Sequence, residues 1–172
     1  NLDDPYLLSA RGVAFKQTGN LNHAIADLEK AVSLTKDSNI YCNLGNAYRS
    51  CGRLSDAITS YETAIAIEPA NSNVRKSIGL AYFDVGNLEN ASNQFEESIK
   101  INSDDPETIF YLAESYRKRE LFEQAISYYE ITSFHTSKSQ LLDCLYRMGD
   151  LAKLKEVIAR ADLENLNDAL GG

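Results

Sequence analysis

The sequence predicts an all-α fold of stacked helix pairs, four clear units followed by one degenerate pair. Three sets of columns carry that prediction. Gly12, Gly45 and Gly79 are 33 and 34 residues apart, and Gly19, Gly52 and Gly86 repeat the same steps. Ala24, Ala57, Ala91 and Ala125 recur at 33, 34 and 34. Phe15, Tyr48, Tyr82 and Tyr116 form a third column, and Leu28, Tyr61, Phe95 and Tyr129 keep the same period four places after each alanine. A fixed period of this size marks an architecture in which each unit buries its apolar face against its neighbours. The 172 residues suit one domain of roughly 100–200 residues or five units of about 34, and the columns decide for the units.

The units span 5–37, 38–71, 72–105 and 106–139, with a degenerate pair and cap over 140–172, all within one domain. In the second unit Ile40, Tyr41, Leu44, Ala47 and Tyr48 lie at helical spacing. Ser50, Cys51, Gly52 and Arg53 interrupt that helix, and Gly52 suits its C-terminus because it takes positive φ without a Cβ clash. Leu54, Ala57, Ile58, Tyr61, Ala64 and Ile65 then form a second amphipathic helix, which Pro69 cannot continue. Asp4-Pro5 and Asp105-Pro106 each set a capping carboxylate before a proline at the first helical position. Gly45 and Ala57 are expected where the two helices cross, with Tyr48 and Tyr61 filling the space between successive helices. The fifth pair reads Leu141, Leu142, Leu145 and Met148, then Gly149, then Leu151, Leu154, Val157, Ile158 and Ala161. Its motif is shifted by about one residue. Leu163, Leu166 and Leu170 add a short apolar stripe that either covers the last pair or begins a longer segment.

Composition removes several function classes. With 44% hydrophobic and 24% charged residues the chain is neither disordered nor membrane-embedded. No run approaches the ~18 apolar residues of a membrane helix, so no membrane insertion is expected. A net charge of −8 disfavours general nucleic-acid binding. Three cysteines, none in a CxxC pair, and two histidines, His23 and His135, form neither a disulfide framework nor a metal set. No cofactor or metal is expected, and free thiols point to a reducing, cytoplasmic compartment. No phosphate-cradling loop, nucleophile elbow or paired histidine motif occurs, so no enzymatic activity is expected.

These residues resemble the tetratricopeptide repeat (TPR) family. Its pattern of aromatic-x2-Leu-Gly-x2-Tyr, Ala-x3-aromatic and Pro is matched throughout the second unit by Tyr41, Leu44, Gly45, Tyr48, Ala57, Tyr61 and Pro69. Arg11 replaces the expected leucine, Arg75 an aromatic, and Ala113 and Glu120 the fourth unit's two glycines. The resemblance implies a right-handed α-α superhelix with first helices on the concave face. It also implies a groove for a peptide or a partner's helix. Carried over position by position, the groove contacts are Tyr6, Asn39, Asn43, Asn46, Arg49, Lys76, Phe83, Phe110, Arg117 and Lys118. The chaperone-tail clamp of the family is not matched: of its polar places only Asn43 fits.

Charge separates by helix. The first-helix segments carry eight basic and six acidic residues, the second-helix segments four and twelve. A groove mixed to mildly basic and an acidic outer face are expected, with Asn46, Arg49, Lys76 and Arg117 contacting a polar or acidic peptide and Phe83 and Phe110 anchoring it. Arg49→Glu is expected to leave stability within about ±0.5 kcal/mol. The function expected is a non-catalytic scaffold binding a protein or peptide; the alternative is a substrate-recruiting arm of a larger transferase or oxygenase. Self-association through the end repeats is a third expectation.

Overall fold

The computed structural model describes the backbone of residues 4–132 and 137–170, and within these the side chains as far as Arg160. His135 and the side chains of Leu163, Leu166 and Leu170 lie outside the described residues. Ten α-helices and no strands are found among the described residues: α1 Pro5–Gln17, α2 Leu21–Leu34, α3 Ser38–Ser50, α4 Leu54–Ile67, α5 Ser72–Asp84, α6 Leu88–Ile101, α7 Pro106–Lys118, α8 Phe122–Ile131, α9 Ser137–Met148 and α10 Leu151–Leu170. They group into two compact units, residues 1–108 and 109–172.

The helices α1, α3, α5 and α7 start on side-chain caps. Asp4 accepts from the amides of Tyr6 and Leu7 at 2.8 and 3.2 Å, and Asp37 from those of Asn39 and Ile40 at 2.9 and 3.2 Å. Asn71 caps Val74 at 3.2 Å, and Asp105 takes Glu107 and Thr108, both at 3.2 Å. Each cap satisfies amides that the first turn leaves without a partner.

The turn inside each pair is one motif repeated five times. The amide of Gly52 bonds to the carbonyl of Arg49 and the amide of Arg53 to that of Tyr48. The same two bonds recur at Gly19, Gly86, Glu120 and Gly149 with their successors. The pivot residue is left-handed in all five, with φ from 61° to 80°. Four are glycine, for which that conformation is free of a Cβ clash. Glu120 adopts it with a side chain.

The other glycine column serves close approach. A Cβ on Gly45 would lie 2.6 Å from the Tyr61 ring, one on Gly79 2.6 Å from Phe95, and one on Gly12 2.7 Å from Leu28. Tyr61 therefore packs within its own pair, on Gly45. Tyr48 works between pairs: its hydroxyl reaches back to Glu29 of the preceding second helix at 2.6 Å. The first unit's core gathers Leu28, Ile40, Leu44, Tyr61, Val74 and Ile78. That of the second gathers Ala113, Ala125, Tyr129, Leu141, Cys144 and Leu145.

The fifth pair departs from the register expected of it. The pivot Gly149 follows Glu120 by 29 residues, whereas the earlier pivots are 33 and 34 apart. The cause is α8, which has 10 residues where α2, α4 and α6 have 14. It ends at Ile131, with Thr132 extended as its C-cap. α9 consequently opens at Ser137, ahead of the boundary at 140.

Candidate functional site

In the first unit the candidate residues Tyr6, Asn39, Asn43, Asn46, Arg49, Lys76 and Phe83 lie on the first helices α1, α3 and α5, whose side chains meet across a candidate face. Tyr6 is 61% exposed and Asn39 is also exposed; Asn43, Asn46, Arg49, Lys76 and Phe83 are half-buried. Ser9 and Cys42 of the same columns are buried. In the second unit Phe110 and Arg117 are half-buried and Lys118 exposed.

Burial in this face follows the second-helix aromatic behind it. Tyr61 is completely buried, and a hydroxyl taken from water needs a hydrogen bond. It donates to Asn46 Oδ1 at 2.7 Å. The Tyr129 hydroxyl donates to Glu114, which holds the equivalent position in the fourth repeat. Where the second helix carries Phe95 or Leu28, with no hydroxyl, that position is Leu80 or Val13. Asn46 is thus half committed to the core: its carbonyl is used, while its amide makes a long contact with Cys42 Sγ at 3.8 Å. Burial raises the phenol pKa of Tyr61, as it does that of Tyr129, where Glu114 adds to the effect.

Neighbouring first helices are linked across the face. Asn43 Nδ2 donates to Ser9 Oγ at 3.3 Å, and Cys42 Sγ to Ser77 Oγ at 3.8 Å. Burial pushes the Cys42 thiol pKa up, with Ser77, Lys16 and Asn46 opposing. That favours an inert, packed thiol.

The cations are paired. Arg49 Nε lies 2.6 Å from Asp84, and Lys76 Nζ 3.0 Å from Asp105 and 3.1 Å from Glu107. Burial alone would lower the Lys76 pKa; its hydrogen bonds to Asp105 and Glu107 more than offset that and raise it. Within the second unit Arg117 is held by Glu114 at 2.8 Å and stands 3.6 Å from Asp143. Its pKa is raised, with the hydrogen bond to Glu114 the largest cause. In each unit these cations are therefore neutralised by carboxylates, the mixed end of what charge counting gave. Asp84 and Glu107 lie on the next first helix along, 35 and 31 residues from Arg49 and Lys76, and their kind is visible in the sequence only once the repeats are aligned.

A second column escaped the sequence reading. Glu29 and Glu62 accept from Tyr48 and Tyr82 of the following pair at 2.6 and 3.2 Å, and Glu130 from Lys153 at 2.7 Å. Its 33-residue step from Glu29 to Glu62 was the available signal. Glu29, exposed on a second helix, reads by itself as part of a solvated acidic face. Among the described residues no group of three or more His, Cys, Asp or Glu is arranged to hold a metal ion. No described helix is long and apolar enough to cross a membrane.

Family models place this geometry among known proteins. One described as TPR repeat matches residues 45–86, and one described as tetratricopeptide repeat matches 6–38 and 77–105. Together they cover more than half of the chain. A curated relative, the small glutamine-rich tetratricopeptide repeat-containing protein 2 of Mycosarcoma maydis, is 33% identical over 72 residues, 41% of this chain and 20% of that protein. The match thus spans a fifth of the relative's length. A crystal structure of MamA protein superposes with a TM-score of 0.86 at 18% identity, over 96% of this chain and 93% of the other. A structure of pilF from Pseudomonas aeruginosa gives 0.77 at 19% identity, over 99% and 78%. At such identities the likeness is one of fold: both superpose on nearly the full length of this all-helical repeat chain.

Proposed function

The chain belongs to the tetratricopeptide repeat family, a family of protein-interaction scaffolds, and on that premise we propose that it holds a peptide or a partner's helix against the first-helix face. The observation that carries this reading is how the face of α1, α3 and α5 is built. Side chains from successive repeats are tied together across it, Asn43 to Ser9, Cys42 to Ser77 and Arg49 to Asp84. Tyr6 and Asn39 stand out from it exposed. A surface fixed in advance loses little side-chain entropy when a ligand docks. Its polar and zwitterionic character suits a segment of mixed polarity; a strongly acidic peptide would have to compete with Asp84, Asp105 and Glu107. We place the activity in a reducing, cytoplasmic setting, in keeping with three free cysteines.

The test is affinity capture from native lysate, with wild type beside Tyr6→Ala/Asn39→Ala. Both positions are exposed, so circular dichroism and thermal melting should match wild type. A partner held by wild type and lost by the variant supports the face as the binding surface. Partners unchanged between the two contradict it.

A further inference from the structure

The turn between α7 and α8 departs from the other four turns at two adjacent positions. Its left-handed pivot is Glu120, where Gly19, Gly52, Gly86 and Gly149 stand in the others. The next residue is Leu121, where the others carry Asn20, Arg53, Asn87 and Asp150. Both choices go against local preference. A side chain at φ 61° costs energy that glycine avoids. Leu121 is the N-cap of α8 and makes no cap hydrogen bond. In its place Asn87 accepts from the Asn90 amide at 3.2 Å, and Asp150 from that of Lys153 at 3.0 Å. Breaches of local preference gather at functional sites.

The two residues help to line an open cavity of about 340 Å³. Leu121, Phe122 and Met148, the last residue of α9, give it apolar walls, and Glu120, Glu123 and Gln124 give it polar ones. Leu121 and Phe122 are half-buried, and Met148 is 41% exposed. Glu120 and Glu123 are exposed, and among the described residues neither carboxylate has an ion-pair partner. Arg147 lies over the Phe122 ring, 6.0 Å from its centroid, but is bound to Asp143 at 3.0 Å. The cavity therefore sets apolar surface beside two carboxylates that no described cation neutralises.

We propose that this cavity receives a lysine side chain of a partner protein, with its hydrocarbon stem against Leu121, Phe122 and Met148 and its ammonium within reach of Glu120 and Glu123. Charge complementarity selects a cation, and the apolar walls select one carried on a long stem. A compact ammonium with three donors can answer both carboxylates. A purely aliphatic side chain would leave them unanswered, and a carboxylate would be repelled by both. The volume lies at the lower end of ligand cavities, about 300–1,000 Å³, which suits one long side chain rather than a helix. The site goes beyond the first-helix face. It lies at the turn of the fourth pair and shares none of that face's candidate residues, so either stands without the other.

Met148 is the only methionine of the chain, so one carbon-13 methyl signal in NMR of the full protein reports on the cavity wall. The probes are three acetylated and amidated pentapeptides, alanine except for a central lysine, norleucine or glutamate, at matched ionic strength. The lysine peptide should shift the Met148 signal saturably. The norleucine peptide, which keeps the stem without the ammonium, should act several-fold more weakly, and the glutamate peptide not at all. Glu123→Gln and Glu120→Gly should each weaken the lysine response about two- to fivefold, the size of an exposed ion pair. Glu120→Gly copies the glycine of the other four turns, so a thermal melt no lower than wild type should accompany its weaker response and exclude unfolding as the cause. Equal responses to lysine and norleucine overturn the proposal. So does a lysine response that is absent, that glutamate matches, or that both variants leave at wild-type strength.

Discussion

A buried tyrosine hydroxyl needs an acceptor, and at Tyr61 and Tyr129 that requirement writes itself into the neighbouring helix. Tyr61 goes with Asn46, Tyr129 with Glu114, and the hydroxyl-free Phe95 with Leu80. Asn46→Leu should therefore destabilise by about 1–3 kcal/mol, the cost of an unsatisfied buried group. Adding Tyr61→Phe should recover much of that loss, since the pair then copies the third repeat. Denaturant unfolding of the four proteins gives the coupling, and additive effects would contradict the pairing. The two glycine columns should fail for different reasons. Gly45→Ala drives a methyl to 2.6 Å from the Tyr61 ring and should cost about 1–3 kcal/mol. Glu120 sits left-handed with φ 61°, so Glu120→Gly should stabilise by about 0.5–1 kcal/mol, less than the full strain because glycine is freer when unfolded. The sequence shows the glycine at each position and its period. Place within the unit separates the two, Gly52 at a helix end and Gly45 at a helix crossing; what the sequence does not show is the closeness of that crossing, 2.6 Å from a Gly45 Cβ to the Tyr61 ring.

At the scale of the helix, the column Glu29, Glu62 and Glu130 fastens α2, α4 and α8 to the pair that follows. Tyr48→Phe keeps the shape and removes one fastening, at an expected cost of about 1 kcal/mol. Burial and Glu29 push the Tyr48 pKa up to about 12, above the ~10 of an unfolded tyrosine. The raised value means a stabilisation fully present below pH ~10 and lost as pH climbs through about 12. In Tyr48→Phe, unfolding followed between pH 9 and 12 should show a flatter loss of stability. Asp105 gives the opposite sign. Burial alone would raise its pKa, but Lys76 and Thr108 lower it. Its contribution is present above the unfolded carboxyl value of ~3.9 and is lost as pH falls through the lowered folded one. Asp105→Ala should cost about 0.5–2 kcal/mol at neutral pH and reduce the acid sensitivity. The first four pairs were legible as helices because their columns are apolar and periodic. The fifth was legible as a pair and not in register, because four residues missing from α8 shift its pivot. Only the short step from Glu120 to Gly149 records that loss.

Over the whole chain, a TPR protein offers a ligand surfaces made of side chains from several helices. Sequence columns name the residues on such a face but not their electrostatic partners. Arg49, Lys76 and Arg117 read as a basic lining until Asp84, Asp105 and Asp143 are brought beside them from the next helix along. For the same reason Arg49→Glu is no longer a neutral probe. It sets a second carboxylate against Asp84 and loses a pair, so it should cost up to about 1 kcal/mol rather than nothing. Arg49→Gln is the gentler variant. The claim that binding occurs on the first-helix face is tested most directly by a photo-crosslinking residue placed singly at Asn39, on α3, and at Asn93, exposed on α6. Irradiated in native lysate, the Asn39 protein should yield a discrete adduct with a partner and the Asn93 protein none. Adducts from Asn93 with none from Asn39 would contradict the account and move the interaction to the acidic second-helix face.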